Sequence, residues 1–232
     1  MQGSTFPTIV LVHGAWADGS SWHKVITLLR TAGSAVTAAP IPLTSLPDDV
    51  AALDRALARI SGPVVLVGHA YAGAVIGATT SAAVQSLVYV AALAPDEGET
   101  VADVFYCEPP HPAAPELAPD TQGYLWLPDD AFATAFAQHA SPTEQAVLAA
   151  VQRPINAACI QQPVSAPRWK DIPTWFLRAE EDRMIDPSTQ AFMADRMGAY
   201  LRSHQVDHAP LLTAPETVVE IVVEAAAARL SS

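Results

Sequence analysis

The sequence predicts an α/β protein: a mostly parallel sheet of about six strands, helices on both faces, and a helical lid inserted in the second half. Three observations carry that expectation. Between residues 8 and 94, short apolar runs alternate with helix-length stretches, the rhythm of βαβ units. At the centre, Pro63-Val-Val-Leu-Val-Gly-His-Ala-Tyr-Ala-Gly73 compresses an apolar strand, a tight corner and a small-residue helix start into one stretch. After Ala94 the rhythm stops, and it resumes at Ile172.

Taken in order, Thr8–Val12 reads as a buried strand ending at His13-Gly14-Ala15-Trp16, and Asp18 to Ser21 supply turn and capping residues for a helix to Thr31. Ser34–Ala39 is a second strand, closed by Pro40 and Pro42. Pro47-Asp48-Asp49 opens a helix to Ile60, its acids placed to favour the helix N-terminus. Val64–Val67 is the central strand, followed by a helix from Tyr71 to about Ser81 and a strand at Leu87–Val90. Residues 95–171 are rich in proline and alanine and carry Phe105, Tyr106, Tyr124, Trp126, Phe132 and Phe136. Short helices are expected at Asp129–His139 and Pro142–Gln152. The sheet returns at Ile172–Leu177, with a helix at Pro187–Met197, a last strand at Tyr200–Val206 and a closing helix from Pro215 to Leu230. The whole reads as one domain over 1–232, with core 1–94 and 171–232 and a lid at about 95–170.

Composition narrows the function. The 232 residues are 50% hydrophobic, enough for one substantial core. A net charge of −12 disfavours nucleic acid and anionic membranes as partners, since both need a basic face. Met1–Pro7 lacks the pattern of a signal peptide, and Val218–Leu230 is too short and too charged to span a bilayer. A soluble, cytoplasmic protein is expected, with Cys107 and Cys159 reduced. Its oligomeric state is open, a homo-oligomer included. The seven histidines show no H-E-x-x-H spacing, and no glycine-rich phosphate loop occurs, so no metal and no cofactor are expected.

Three positions at the carboxyl ends of strands could carry chemistry. The corner at Gly68–Gly73 has the form of a nucleophile elbow, where G-x-S-x-G lifts a strained serine above a sheet, but Ala70 fills the serine's place. Asp182 follows the strand near Leu177; among Glu180, Glu181, Asp182 and Asp186 it is preferred as the acid, with Asp186 the N-cap of the helix at Pro187. His208 follows the last strand as a candidate proton shuttle. The N–H groups of Ala15 and Tyr71 are candidates for an oxyanion hole. His13 reads as a residue that braces its loop. Trp16, Phe105 and Trp126 are candidates to line an apolar substrate pocket.

These stretches resemble the α/β-hydrolase superfamily. His13-Gly-Ala-Trp-Ala-Asp-Gly-Ser-Ser-Trp22 in particular resembles a group of small bacterial hydrolases similar to plant methyl-ester esterases and hydroxynitrile lyases. The resemblance extends over Val64–Gly73, Val88–Pro95, Glu181–Ile185 and His208–Pro215. It implies an α/β-hydrolase fold and a carboxylic ester, thioester or lactone substrate of apolar character. It further implies a triad of the residue at 70, His208 and Asp182, and this sequence departs from the pattern at Ala70 alone. An introduced Ser→Ala change would leave every supporting residue intact; a natural loss of the nucleophile is the other explanation. The alternatives in function are a serine-independent His–Asp catalyst, such as a lyase or cofactor-free dioxygenase, and a non-catalytic binder of small ligands.

Overall fold

Six parallel strands form the sheet that organises the computed structural model, which describes residues 6–228. In chain order the elements of the first half are β1 (Thr8–Val12), α1 (His23–Thr31), β2 (Val36–Ala39), α2 (Leu46–Leu57), β3 (Val64–His69), α3 (Ala72–Ala78) and β4 (Val84–Val90). A segment inserted after β4 holds α4 (Val101–Phe105), β5 (Tyr124–Leu125), α5 (Pro142–Val151), β6 (Ile155–Asn156) and α6 (Ala158–Gln161). The chain then returns through β7 (Thr174–Ala179), α7 (Pro187–Arg196), β8 (Tyr200–His204), α8 (Pro210–Thr213) and α9 (Pro215–Ala227). Strand order is β2-β1-β3-β4-β7-β8.

Alternate residues of the strands feed two apolar layers, as the two-residue strand period requires. Val10, Val12, Leu66, Leu87, Tyr89 and Phe176 pack with residues of α2, α3 and α7 on one face. Ile9, Leu11, Val65, Val67, Val88 and Leu177 pack with residues of α1 and α9 on the other. Burial on both faces explains why Val64–Val67 reads as an unbroken apolar run.

Strand register places the loops that matter. Val12 pairs with Gly68, which sets the loop after β1 against the corner after β3. Connections from β1 and β3 run to opposite sides here, the switch point where open α/β sheets bind ligands. Ala179 pairs with His204, which brings the loops after β7 and β8 together.

The structure differs from the sequence expectation in places with clear local causes. The insertion is not purely helical: β5 and β6 form a two-stranded antiparallel sheet, too short to leave a periodic signal. The expected helix at Asp129–His139 shrinks to Phe132–Phe136, closed by a wide turn from Ala137 N–H to Phe132 C=O at 2.9 Å. Helix α3 stops at Ala78 because Thr79 turns extended; its hydroxyl donates to Asp54 at 2.5 Å and accepts from Ser81 N–H at 3.3 Å. Asp186 is the N-cap of α7, accepting from Ser188 N–H at 2.8 Å. The expected stretch at Met1–Pro7 and the end of the closing helix at Leu230 lie partly outside the described residues. No helix among the described residues is long and apolar enough to cross a membrane.

Candidate active site

The corner after β3 is built by close approach. A Cβ at Gly73 would sit 2.3 Å from the Leu93 carbonyl oxygen, and one at Gly68 would sit 2.9 Å from that of Ala72. No side chain fits at either, so strand and helix meet at a sharp angle. Ala70 sits at the tip with φ 52°, a left-handed conformation that costs a non-glycine residue roughly 1–2 kcal/mol. Strain of this kind concentrates at functional positions. Here the strain persists although the side chain it displays is a methyl group.

Asp182 and His208 come together from neighbouring loops. His208 Nδ1 lies 2.8 Å from Asp182 Oδ2, and both residues are buried. Asp182 Oδ1 accepts from the N–H groups of Met184 at 2.8 Å and Ile185 at 2.9 Å. Its Oδ2 also accepts from the Gln190 side chain at 2.8 Å. Gln190 is fixed in turn, donating to the Ile185 carbonyl and accepting from Ala179 N–H. The four hydrogen bonds hold the Asp182 carboxyl group in one orientation, and its contact with Nδ1 leaves His208 Nε2 free of it.

His69, beside the tip, links the corner to the base loop. Its Nε2 lies 2.7 Å from the His208 carbonyl oxygen, which can only accept, so Nε2 carries the hydrogen. Burial, reinforced by the neighbouring His208 imidazole, holds its pKa well below the usual histidine value, so the ring stays neutral. Phe136 stands edge-on to His208 with ring centroids 5.1 Å apart. Asp207 anchors the same loop, accepting from Thr213 Oγ1 at 2.5 Å and from His139 N–H at 2.9 Å.

Ala15 and Tyr71 both border the cavity above Ala70. Neither backbone N–H is given to an acceptor among the described residues, as an oxyanion site requires. The loop carrying Ala15 presses on the tip: a Cβ at Gly14 would lie 2.9 Å from that of Ala70. His13 braces this loop, with Nδ1 2.9 Å from the Gly14 carbonyl oxygen and Nε2 accepting from Ile41 N–H at 3.4 Å. Trp16 is held by the insertion at two points, its N–H donating to the Arg153 carbonyl at 3.0 Å and its indole to that of Leu125 at 2.9 Å.

The cavity encloses about 250 Å³, near the lower end of the ~300–1,000 Å³ typical of small-molecule sites. Trp16, Phe105, Leu125, Ile155 and Ile160 are among its walls, with Ala70 and His208 at its floor; no Lys, Arg, Asp or Glu lines it. Trp126, expected to line it, does not. Its neighbour Leu125 faces the cavity, so the alternation of a strand turns Trp126 outward. It is 52% exposed and donates to Asp120 at 3.2 Å.

A strained tip at the end of the third strand, an acid after β7, and its histidine after β8 have the chain order of one family, and that family's sequence model matches residues 9–221. The chain belongs to the alpha/beta hydrolase family. It is 26% identical over 245 aligned residues to an alpha/beta hydrolase of Aspergillus novofumigatus, covering 95% of this chain and 96% of that one. A chain of Arabidopsis thaliana named as a chloroplastic methylesterase is 25% identical over 261 residues, covering 97% of this chain. This chain spans 57% of that relative's length. In three dimensions, polyneuridine aldehyde esterase in a mutant form superposes with a TM-score of 0.82 at 21% identity, covering 94% of this chain and 98% of that one.

Sequence reasoning missed His69, Gln190, Asp207 and Phe136 as supports of the site. Only Gln190 left a usable signal: a glutamine on the buried face of α7 needs a polar partner. Among the described residues no cluster of three or more His, Cys, Asp or Glu is arranged to hold a metal.

Proposed function

We propose that this chain is the nucleophile-deficient form of a serine hydrolase acting on carboxylic esters, with thioesters or lactones as related substrates. One observation carries the reading: a buried His208–Asp182 pair opens, beside a residue held at φ 52°, into an apolar cavity free of charged walls. The methylesterase name of the Arabidopsis thaliana relative supports an ester as substrate.

With serine at position 70, Oγ would attack the ester carbonyl carbon while its proton passes to His208 Nε2. Asp182 stabilises the imidazolium, and the Ala15 and Tyr71 N–H groups donate hydrogen bonds to the developing oxyanion. Collapse breaks the C–O bond, and His208 returns the proton to the leaving alkoxide. Water, deprotonated by His208, then attacks the acyl carbon; the bond to Oγ breaks, His208 returns the proton to Oγ, and the acid leaves. A methyl at position 70 removes the attack itself and leaves the rest in place. The residues between β4 and β7 act as the substrate-selecting lid, and the absence of cationic walls favours neutral, apolar esters over free carboxylates.

The test is a comparison of the chain with its Ala70→Ser variant on p-nitrophenyl esters of increasing acyl length. Turnover by the serine form alone supports the reading. A serine-independent reading is favoured by one feature, the cavity-facing His208 with its acid intact. It requires turnover by the Ala70 chain that His208→Ala abolishes.

A further inference from the structure

The ester mechanism leaves one buried polar cluster unused. Asp49, in the first turn of α2, is completely buried. Its neighbour Asp48 behaves as the sequence suggests, staying exposed and bonding the Ser45 cap. Asp49 instead turns inward. Its Oδ2 accepts from the Tyr71 hydroxyl at 2.7 Å and lies 3.7 Å from the Cys159 thiol, while its Oδ1 accepts from Leu43 N–H at 2.7 Å. Burial pushes the carboxyl, the phenol and the thiol all upward, the thiol to about 12. Tyr71 and Cys159 are therefore protonated donors at neutral pH.

The cluster joins four parts of the chain: α2, the loop after β2, the corner and α6. Burying a carboxylate is costly, and apolar side chains would fill the same space without that cost. Tyr71 is the residue after position 70, and it opens α3 with no side-chain cap. Its side chain runs from the start of that helix to Asp49, where its hydroxyl is held. Helix α6 carries Ile160 in the cavity wall and Cys159 against the same carboxylate.

We propose that Asp49 is a positioning residue that, through the Tyr71 hydroxyl, fixes the Tyr71 backbone N–H over position 70 and registers the α6 wall to it. The catalytic use of that N–H rests on the ester-hydrolase reading; its fixation by Asp49 does not.

Two measurements test it. In the Ala70 chain labelled with [15N]tyrosine, Tyr71→Phe identifies the Tyr71 amide signal by its loss. Asp49→Asn should shift or broaden that signal while those of Tyr106 and Tyr200 stay in place. In the Ala70→Ser background, Asp49→Asn and Tyr71→Phe should each lower kcat about tenfold with KM within about twofold. The double variant should lose no more than either alone, since both cut one linkage. A Tyr71 amide unmoved in folded Asp49→Asn protein overturns the proposal, as do losses that multiply or that appear in Tm alone. If Asp49→Asn does not fold, Tyr71→Phe, which removes only a hydroxyl, decides by its kcat. If the Ala70→Ser protein does not turn over esters, the hydrolase reading fails and the amide signal alone decides the positioning.

Discussion

The two halves of the site are held by different means. Asp182 and His208 sit in a saturated polar network, where Met184, Ile185 and Gln190 fix the acid and the acid fixes the base. The corner at Ala70 is held by steric fit and backbone conformation, with Gly68 and Gly73 pressed against carbonyl oxygens. The first half depends on the identity of its side chains; the second does not depend on the side chain it presents. A methyl group at position 70 therefore leaves the proposed site intact, whereas loss of the Asp182 carboxylate would not.

Placing a serine at position 70 is the strongest way to sharpen that contrast. Ala70→Ser should raise ester turnover by about six orders of magnitude, since removing a triad nucleophile typically costs that much; steady-state kinetics on p-nitrophenyl esters reads it. Next, Asp182→Asn in that background should lower kcat by about four orders. Its amide nitrogen at the Oδ2 position would face the Gln190 donor and favour the wrong His208 tautomer. A loss under tenfold would break the distinction between the halves.

Acid stability gives a smaller effect. Burial depresses the pKa values of His13 and His69, so just below pH 6.5 the folded chain binds fewer protons at these rings than the unfolded chain does. They leave stability unchanged above the unfolded value near 6.5 and lower it as pH falls below that value. Each histidine contributes a slope of at most about 1.4 kcal/mol per pH unit. Urea midpoints between pH 7 and 5 should show the decline, and His13→Gln should flatten it by up to one proton's worth. The smallest effects concern the cavity. In the Ala70→Ser protein, Phe105→Ala should raise KM several-fold, roughly the value of lost apolar contact, whereas Trp126→Ala should change it less than about twofold. Equal effects of the two would return Trp126 to the wall.

What the sequence made legible follows the same division. Chain order, strand positions and the corner could be read because burial on both faces writes continuous apolar runs and close backbone approach writes small residues. His208 and Asp182 could be placed because loops at strand ends are few. Trp126 misled because β5 is too short to show which face its residues take. Asp49 was hidden because an acid in a first helical turn already has an ordinary explanation, exposure at the N-terminus, and nothing local marks it as turned inward. Asp207 and Phe136 act through contacts across 68 and 72 positions of chain, separations that leave no local pattern.

The proposal that this chain holds an ester-hydrolase site lacking one oxygen atom is tested by intact-protein mass measurement after treatment with an alkyl fluorophosphonate. The account predicts a single phosphonyl adduct on the Ala70→Ser protein, mapped to position 70 and suppressed by His208→Ala, with none on the Ala70 chain. A folded Ala70→Ser protein that takes up no adduct, or an Ala70 chain that is labelled to the same extent, would contradict it.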